Sequence, residues 1–131
     1  MESPDTDQVT LAGVRFQIAV WEEVLARRPD DTEALRFLAH AFTQVGRLED
    51  GLEADRKLVE LLPLDPRVRY NFACSLALSG QAEDALTELS YACELGFDDL
   101  KLLRRDQDFV SLREHPEFRA LCRQLEGDAG A

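Results

Sequence analysis

Residues 32–65, TEALRFLAHAFTQVGRLEDGLEADRKLVELLPLD, and residues 66–99, PRVRYNFACSLALSGQAEDALTELSYACELGFDD, match each other when the second stretch is shifted back by 34 positions. The shift lays Ala39 on Ala73, Gly46 on Gly80, Glu49-Asp50 on Glu83-Asp84, Leu52 on Leu86 and Glu60-Leu61 on Glu94-Leu95. A self-similarity of this length marks a supersecondary unit that cannot bury its apolar face alone and is stable only when stacked. Small residues recur where two helices must approach closely: Ala39 and Ala73 in the first helix of each unit, Gly51 and Ala85 near the start of the second. A bulky side chain at any of these would push the pair apart.

Turn signals at Pro29-Asp30-Asp31, Val45-Gly46-Arg47, Leu62-Pro63-Leu64-Asp65-Pro66, Ser79-Gly80-Gln81 and Leu95-Gly96-Phe97 leave segments of about four helical turns between them. Asp30 with Glu33 forms a capping-box-like helix start. Asp65 before Pro66 places an N-cap ahead of a proline at the first helical position, where a missing N–H is harmless. No run alternates apolar and polar residues with the β-branched enrichment of a strand, so the expected class is all-α.

The 34-residue pattern resembles the tetratricopeptide repeat (TPR) family. The matching positions are Leu35, Leu38, Ala39, Phe42, Gly46, Gly51 and Pro63 in residues 32–65, where Asp55 and Leu58 depart. In residues 66–99 they are Phe72, Ala73, Leu76, Gly80, Ala85 and Ala92, while Arg69 departs and Phe97 stands at the closing proline position. Residues 14–29, VRFQIAVWEEVLARRP, look like the second helix of an earlier repeat, with Trp21 and Pro29 at its aromatic and proline positions. Residues 1–12 are too few and too polar to supply the partner helix, so this first repeat reads as truncated.

Residues 96–122 are similar to an end-of-array segment that follows many bacterial TPR units, through Gly96, Phe97, Leu103, Asp106, Asp108, Phe109, Leu112, Arg113, Pro116, Phe118 and Leu121. They read as a short helix, a capped turn at Asp106–Asp108 and a closing helix from Pro116. That helix carries Phe118, Leu121, Cys122 and Leu125 on one face, as needed to cover the exposed end of a solenoid. The resemblance implies a right-handed solenoid of antiparallel helix hairpins with a C-terminal capping helix. The expected boundaries are an N-terminal arm at 1–13 and one domain at 14–126. Within the domain lie the truncated repeat 14–31, repeats 32–65 and 66–99 and the capping segment 100–126, with a disordered tail at 127–131.

Composition removes several function classes. The chain has 131 residues, 45% of them hydrophobic and 31% charged, in the range of a globular domain. Its 26 Asp and Glu outweigh 15 Lys and Arg, a formal charge of -11, which repels nucleic acid and anionic lipid. MESPDTDQVT has neither the basic nor the apolar region of a signal peptide, and the expected location is cytoplasmic. Cys74, Cys93 and Cys122 are widely spaced in apolar surroundings and read as small buried hydrophobes. His40 and His115 lack a second ligand at helical spacing, so no metal site or cofactor is expected.

No nucleophile elbow, P-loop, dinucleotide glycine pattern or HExxH occurs, and the chain is not expected to be an enzyme. The adjacent acidic pairs Glu22-Glu23, Glu49-Asp50 and Asp98-Asp99 point about 100° apart on a helix and cannot converge on one substrate. What remains is a surface. In TPR proteins the first helix of each repeat lines the concave face, which here implies a groove of Glu33, Arg36, His40 and Gln44, then Arg67, Tyr70, Asn71, Cys74 and Leu78. Some TPR domains clamp the terminal carboxylate of a partner. By offset, Arg36 and His40 stand for the clamp's first pair, Asn71 for its second layer, and Lys101 with Arg105 for its third, although His40 loses the amide.

The expected function is therefore protein–protein interaction: an adaptor or chaperone-like module holding a partner's peptide, acidic or bound through its terminal carboxylate. The expected contacts are Arg36, His40, Arg67, Tyr70, Asn71, Lys101 and Arg105. The alternative is a structural subunit or homo-oligomer docked through the truncated first repeat. Burial of Val14, Ile18, Trp21 and Leu25 within the chain favours the adaptor; their exposure favours the oligomer.

Overall fold

The computed structural model describes residues 4–130, with side chains described from 10 to 127. The described residues contain seven α-helices and one 3₁₀ segment: α1 (Pro4–Arg27), α2 (Thr32–Gln44), α3 (Leu48–Leu61), α4 (Pro66–Leu78), α5 (Ala82–Glu94), α6 (Leu100–Arg105), η1 (Gln107–Leu112) and α7 (Pro116–Gly130). No strand occurs among them. The 34-residue period is carried into the helix starts: α2 and α4 begin at Thr32 and Pro66, α3 and α5 at Leu48 and Ala82. The chain divides into two compact units, Met1–Leu61 and Leu62–Ala131.

Both hairpins turn in the same way. The Gly46 N–H donates to Thr43 O at 3.1 Å and the Arg47 N–H to Phe42 O at 2.8 Å; one period later Gly80 donates to Ala77 O at 3.1 Å and Gln81 to Leu76 O at 2.9 Å. This is the Schellman closure, which satisfies two terminal carbonyls and requires a left-handed residue after the cap. Gly46 and Gly80 supply it with φ of 82° and 78°. The starts of α2 and α4 are capped by aspartates. Asp65 Oδ1 accepts from the Arg67 N–H at 2.9 Å and the Val68 N–H at 3.3 Å, with Pro66 in the first turn.

The α2 cap differs from expectation: Asp31, rather than Asp30, has extended geometry and accepts from the Ala34 N–H at 3.0 Å. Both aspartates can cap, and the one adjacent to Thr32 reaches the N–H of the third helical residue. Asp30 instead pairs with Lys57 on α3 at 3.3 Å.

In the first unit, Ile18, Leu38, Ala41 and Phe42 form a buried cluster joined by partly buried Val14, Trp21, Leu25, Phe37 and Val45. Trp21 stacks on Phe37 with ring centroids 5.5 Å apart. The close approach of α2 and α3 occurs at Gly51, where a Cβ would lie 3.2 Å from Thr43 Oγ1 and 3.4 Å from Ala39 O. Helix α1 runs unbroken for 24 residues, so residues 4–13 prolong it instead of forming a separate arm. A proline at a helix start is tolerated and Gly13 alone weakens a helix by about 1 kcal/mol, so nothing in this stretch ends it. Residues 1–3 of the expected arm lie outside the described residues.

In the second unit Ala73, Ala85, Leu89 and Ala92 are fully buried between α4 and α5. Arg69, which departs from the repeat pattern, spans these two helices. Its Nη1 lies 2.9 and 3.2 Å from the two carboxylate oxygens of Glu88, its Nε donates to Pro63 O, and its guanidinium sits over Tyr91. Leu103 on α6 and Phe109 and Leu112 on η1 are fully buried, and α7 contributes Phe118, Cys122 and Leu125. Helix α7 extends to Gly130 through most of the expected tail; Ala131 lies outside the described residues.

Candidate functional site

The groove positions fall in both units. On α2, Arg36 and His40 are exposed and one helical turn apart, with Glu33 and Gln44 exposed beside them. Arg36 also makes contacts within the fold. In the second unit, Arg67 and Asn71 are exposed one turn apart on α4, and Lys101 and Arg105 repeat that spacing on α6. The Arg67 guanidinium lies 5.9 Å from the Phe97 ring centre, which steadies its stem against the surface.

Tyr70 is not part of an open surface. Only 2% of it is exposed, its ring stacks on Phe97 with centroids 4.3 Å apart, and it meets the edge of Phe109 at 5.5 Å. Helical spacing puts Tyr70 beside Arg67 and Asn71, but the aromatic residues of the closing segment cover it. Its hydroxyl donates to Asp106 Oδ2 at 2.5 Å. Burial first, then this bond, pushes the phenol far above its ordinary range. Cys74 is also buried, and Leu78 is 38% exposed.

Asp106 organises the closing segment. Its Oδ1 accepts from the Asp108 N–H at 3.0 Å, capping η1, while its backbone carbonyl accepts from Arg113 Nη2 at 3.1 Å. Together with Cys74 and Asp108 it forms a group whose potential ligand atoms lie within 4.8 Å of one another. Both carboxylate oxygens of Asp106 are already engaged as acceptors, so this group acts as a brace between α4 and η1. Because Asp106 directly follows Arg105 and Tyr70 directly precedes Asn71, the brace also joins the elements that carry the exposed pairs Arg67/Asn71 and Lys101/Arg105.

Burial pushes the Cys93 thiol up to about 11, with neighbouring Cys122 and Glu94 adding to the shift. Cys93 is half-buried, whereas Cys74 and Cys122 are buried.

A second cluster lies outside the groove expected from the sequence. Arg104, Arg113, Arg119 and Arg123 surround a recess floored by Phe118 and Cys122. Its only sequence signal is the Arg119/Arg123 pair at four-residue spacing on α7, since the other two arginines converge from α6 and the end of η1.

Helix hairpins of 34-residue period, closed at Gly46 and Gly80 and capped at Asp31 and Asp65, give the chain a tetratricopeptide-repeat-like, all-α fold. A solved structure, MamA MSR-1 C2, is similar with a TM-score of 0.68 and 20% identity, covering 92% of this chain and 72% of that one. A chloroplastic protein of Arabidopsis thaliana is 28% identical over 108 residues, 80% of this chain and 31% of that protein. Protein CTR9 homolog of Arabidopsis thaliana is 38% identical over 58 residues, 44% of this chain and 5% of that protein. The chain thus spans less than a third of the length of either curated relative. No family model matches it. Among the described residues, no helix is long and apolar enough to cross a membrane.

Proposed function

We propose that the chain is a protein-interaction module that binds an acidic, or carboxylate-terminated, peptide segment of a partner through Arg67 and Asn71 on α4 and Lys101 and Arg105 on α6. The observation that carries this reading is the exposure of those four side chains on elements braced by Tyr70 and Asp106, in a protein of net charge -11. Residues 70–97 contain no Lys or Arg, so Arg67 and the cations of α6 flank a stretch of sequence without positive charge. Local pairs at hydrogen-bonding distance outweigh a whole-molecule field screened over about 8–10 Å at physiological salt. Arg36 and His40 are the corresponding exposed pair on α2 and are contact positions in their own right. The test is titration of fluorescent acidic heptapeptides with free and with amidated carboxyl termini. Binding that weakens with salt supports the reading, and stronger binding of the free terminus assigns the clamp. Failure of every acidic peptide to bind at low salt refutes it.

A second reading, a homo-oligomer or larger assembly, rests on α1. Ile18 is buried and Val14, Trp21 and Leu25 pack within the chain, which supports the adaptor, yet Phe16 is 72% and Val20 47% exposed one turn apart. Light scattering tests it: a mass of 14.8 kDa at all concentrations removes this reading, and a dimer abolished by Phe16→Glu upholds it.

A further inference from the structure

The recess among Arg104, Arg113, Arg119 and Arg123 lies wholly within the second unit and has a volume of about 350 Å³. Two of its four guanidiniums are compensated. Arg104 Nη2 lies 2.9 Å from Glu126 Oε2, and Arg119 Nη2 bonds to Glu114 Oε2. The other two are not. Arg123 is exposed and has no ion pair among the described residues. Arg113 spends its Nη2 on the neutral carbonyl of Asp106, and its Nε is buried with no hydrogen-bond acceptor.

A buried guanidinium N–H with no acceptor is rare in a folded protein, because it has lost its water and gained nothing. A small shift of the Arg113 side chain toward the recess would bring this N–H within reach of a ligand oxygen. The charge left over identifies the ligand class. Two uncompensated guanidiniums match a dianion, and a phosphoryl group carries about −1.5 to −2 at neutral pH with three acceptor oxygens. One carboxylate would leave a positive charge unmatched. Planar guanidiniums also bind phosphoryl oxygens in bidentate fashion. The floor does not oppose an anion, since burial pushes the Cys122 pKa up, against the opposing influence of Arg104, and keeps the thiol neutral.

We propose that this recess is a phosphoryl-binding site, in which Arg113 and Arg123 supply the charge and Arg104 and Arg119 complete the wall. It is separate from the exposed pairs of α4 and α6, and it accepts either a free phosphate or a phosphorylated side chain.

Inorganic phosphate titrated into the full chain, at ionic strength held constant with chloride and followed by amide NMR shifts, tests the site. The expected result is saturable shifts at residues 113–123, with affinity falling roughly tenfold in Arg123→Gln, as expected for loss of one charge-assisted contact. Because Arg123 is exposed, the variant should keep its circular dichroism spectrum and melting temperature. A phosphoserine peptide that binds more tightly than inorganic phosphate, and more tightly than its unphosphorylated form, assigns a phosphorylated protein as the source; equal affinity assigns free phosphate. The proposal is overturned if no saturable shift occurs, if acetate binds as tightly as phosphate, or if Arg123→Gln leaves the affinity unchanged.

Discussion

The Tyr70 hydroxyl donates a 2.5 Å hydrogen bond to Asp106 Oδ2 across 36 residues of sequence, fastening the middle of α4 to the junction of α6 and η1. One carboxylate thereby caps η1 through Oδ1 and holds α4 through Oδ2. The brace ties α4, which carries Arg67, to the end of α6, which carries Lys101 and Arg105.

Tyr70→Phe keeps the stacking on Phe97 but removes the hydroxyl. A hydrogen bond to a charged group contributes about 1.5–3 kcal/mol, so urea denaturation should show a loss in that range. A change below about 0.5 kcal/mol, the range of ordinary surface substitutions, would show that the brace is dispensable.

Alkaline pH should destabilise the fold. Tyr70 and Cys93 both have folded-state values raised by burial, Cys93 to about 11, so the native state favours their neutral forms. The unfolded chain ionises first as pH rises. Stability from these groups is complete below their ordinary values of 10.0 and 9.0 and declines above them, with the Cys93 share gone beyond about 11. The melting temperature should drop steadily from about pH 9 upward, and Tyr70→Phe should flatten that slope. An unchanged slope in the variant would assign the alkaline transition to other groups.

Glycine substitutions should differ in sign. Gly80→Ala places a Cβ at φ 78° and should destabilise by about 1–2 kcal/mol. Gly13→Ala meets no atom within 4 Å in the middle of α1 and should stabilise by up to about 1 kcal/mol. Thermal melts of the two variants against wild type check both signs.

Ala73 is fully buried on the α4 face that meets α5. Ala73→Leu should overpack this crossing and destabilise by about 1–3 kcal/mol. A melting temperature within a degree of wild type would contradict the assigned helix register.

The repeat was legible because its determinants are local. Gly46 and Gly80 mark left-handed turns, Asp65-Pro66 marks a helix start, and Ala39, Ala73 and Ala85 mark close crossings. The Asp106–Asp108 capped turn was legible for the same reason. Three features depend on tertiary context and were not. Asp30 and Asp31 cap equally well on paper, and only the backbone geometry selects Asp31. Tyr70 has the spacing of a surface residue, yet Phe97 and Phe109 cover it from a segment more than twenty residues away. The arginine recess is assembled from three elements, and no single window of sequence contains it.

The proposed function rests on Arg67, Lys101 and Arg105 as the side chains that recognise an acidic segment. Its most direct test is the affinity of the best-binding acidic peptide for wild type and for the triple variant Arg67→Glu, Lys101→Glu, Arg105→Glu, measured by fluorescence anisotropy at low and physiological salt. Affinity should fall with salt in wild type and be reduced at least about tenfold in the variant, the effect of losing roughly 1.4 kcal/mol of charge-assisted contact. Wild-type affinity in a folded triple variant would contradict it and would move the binding surface to the exposed Phe16 and Val20 of α1.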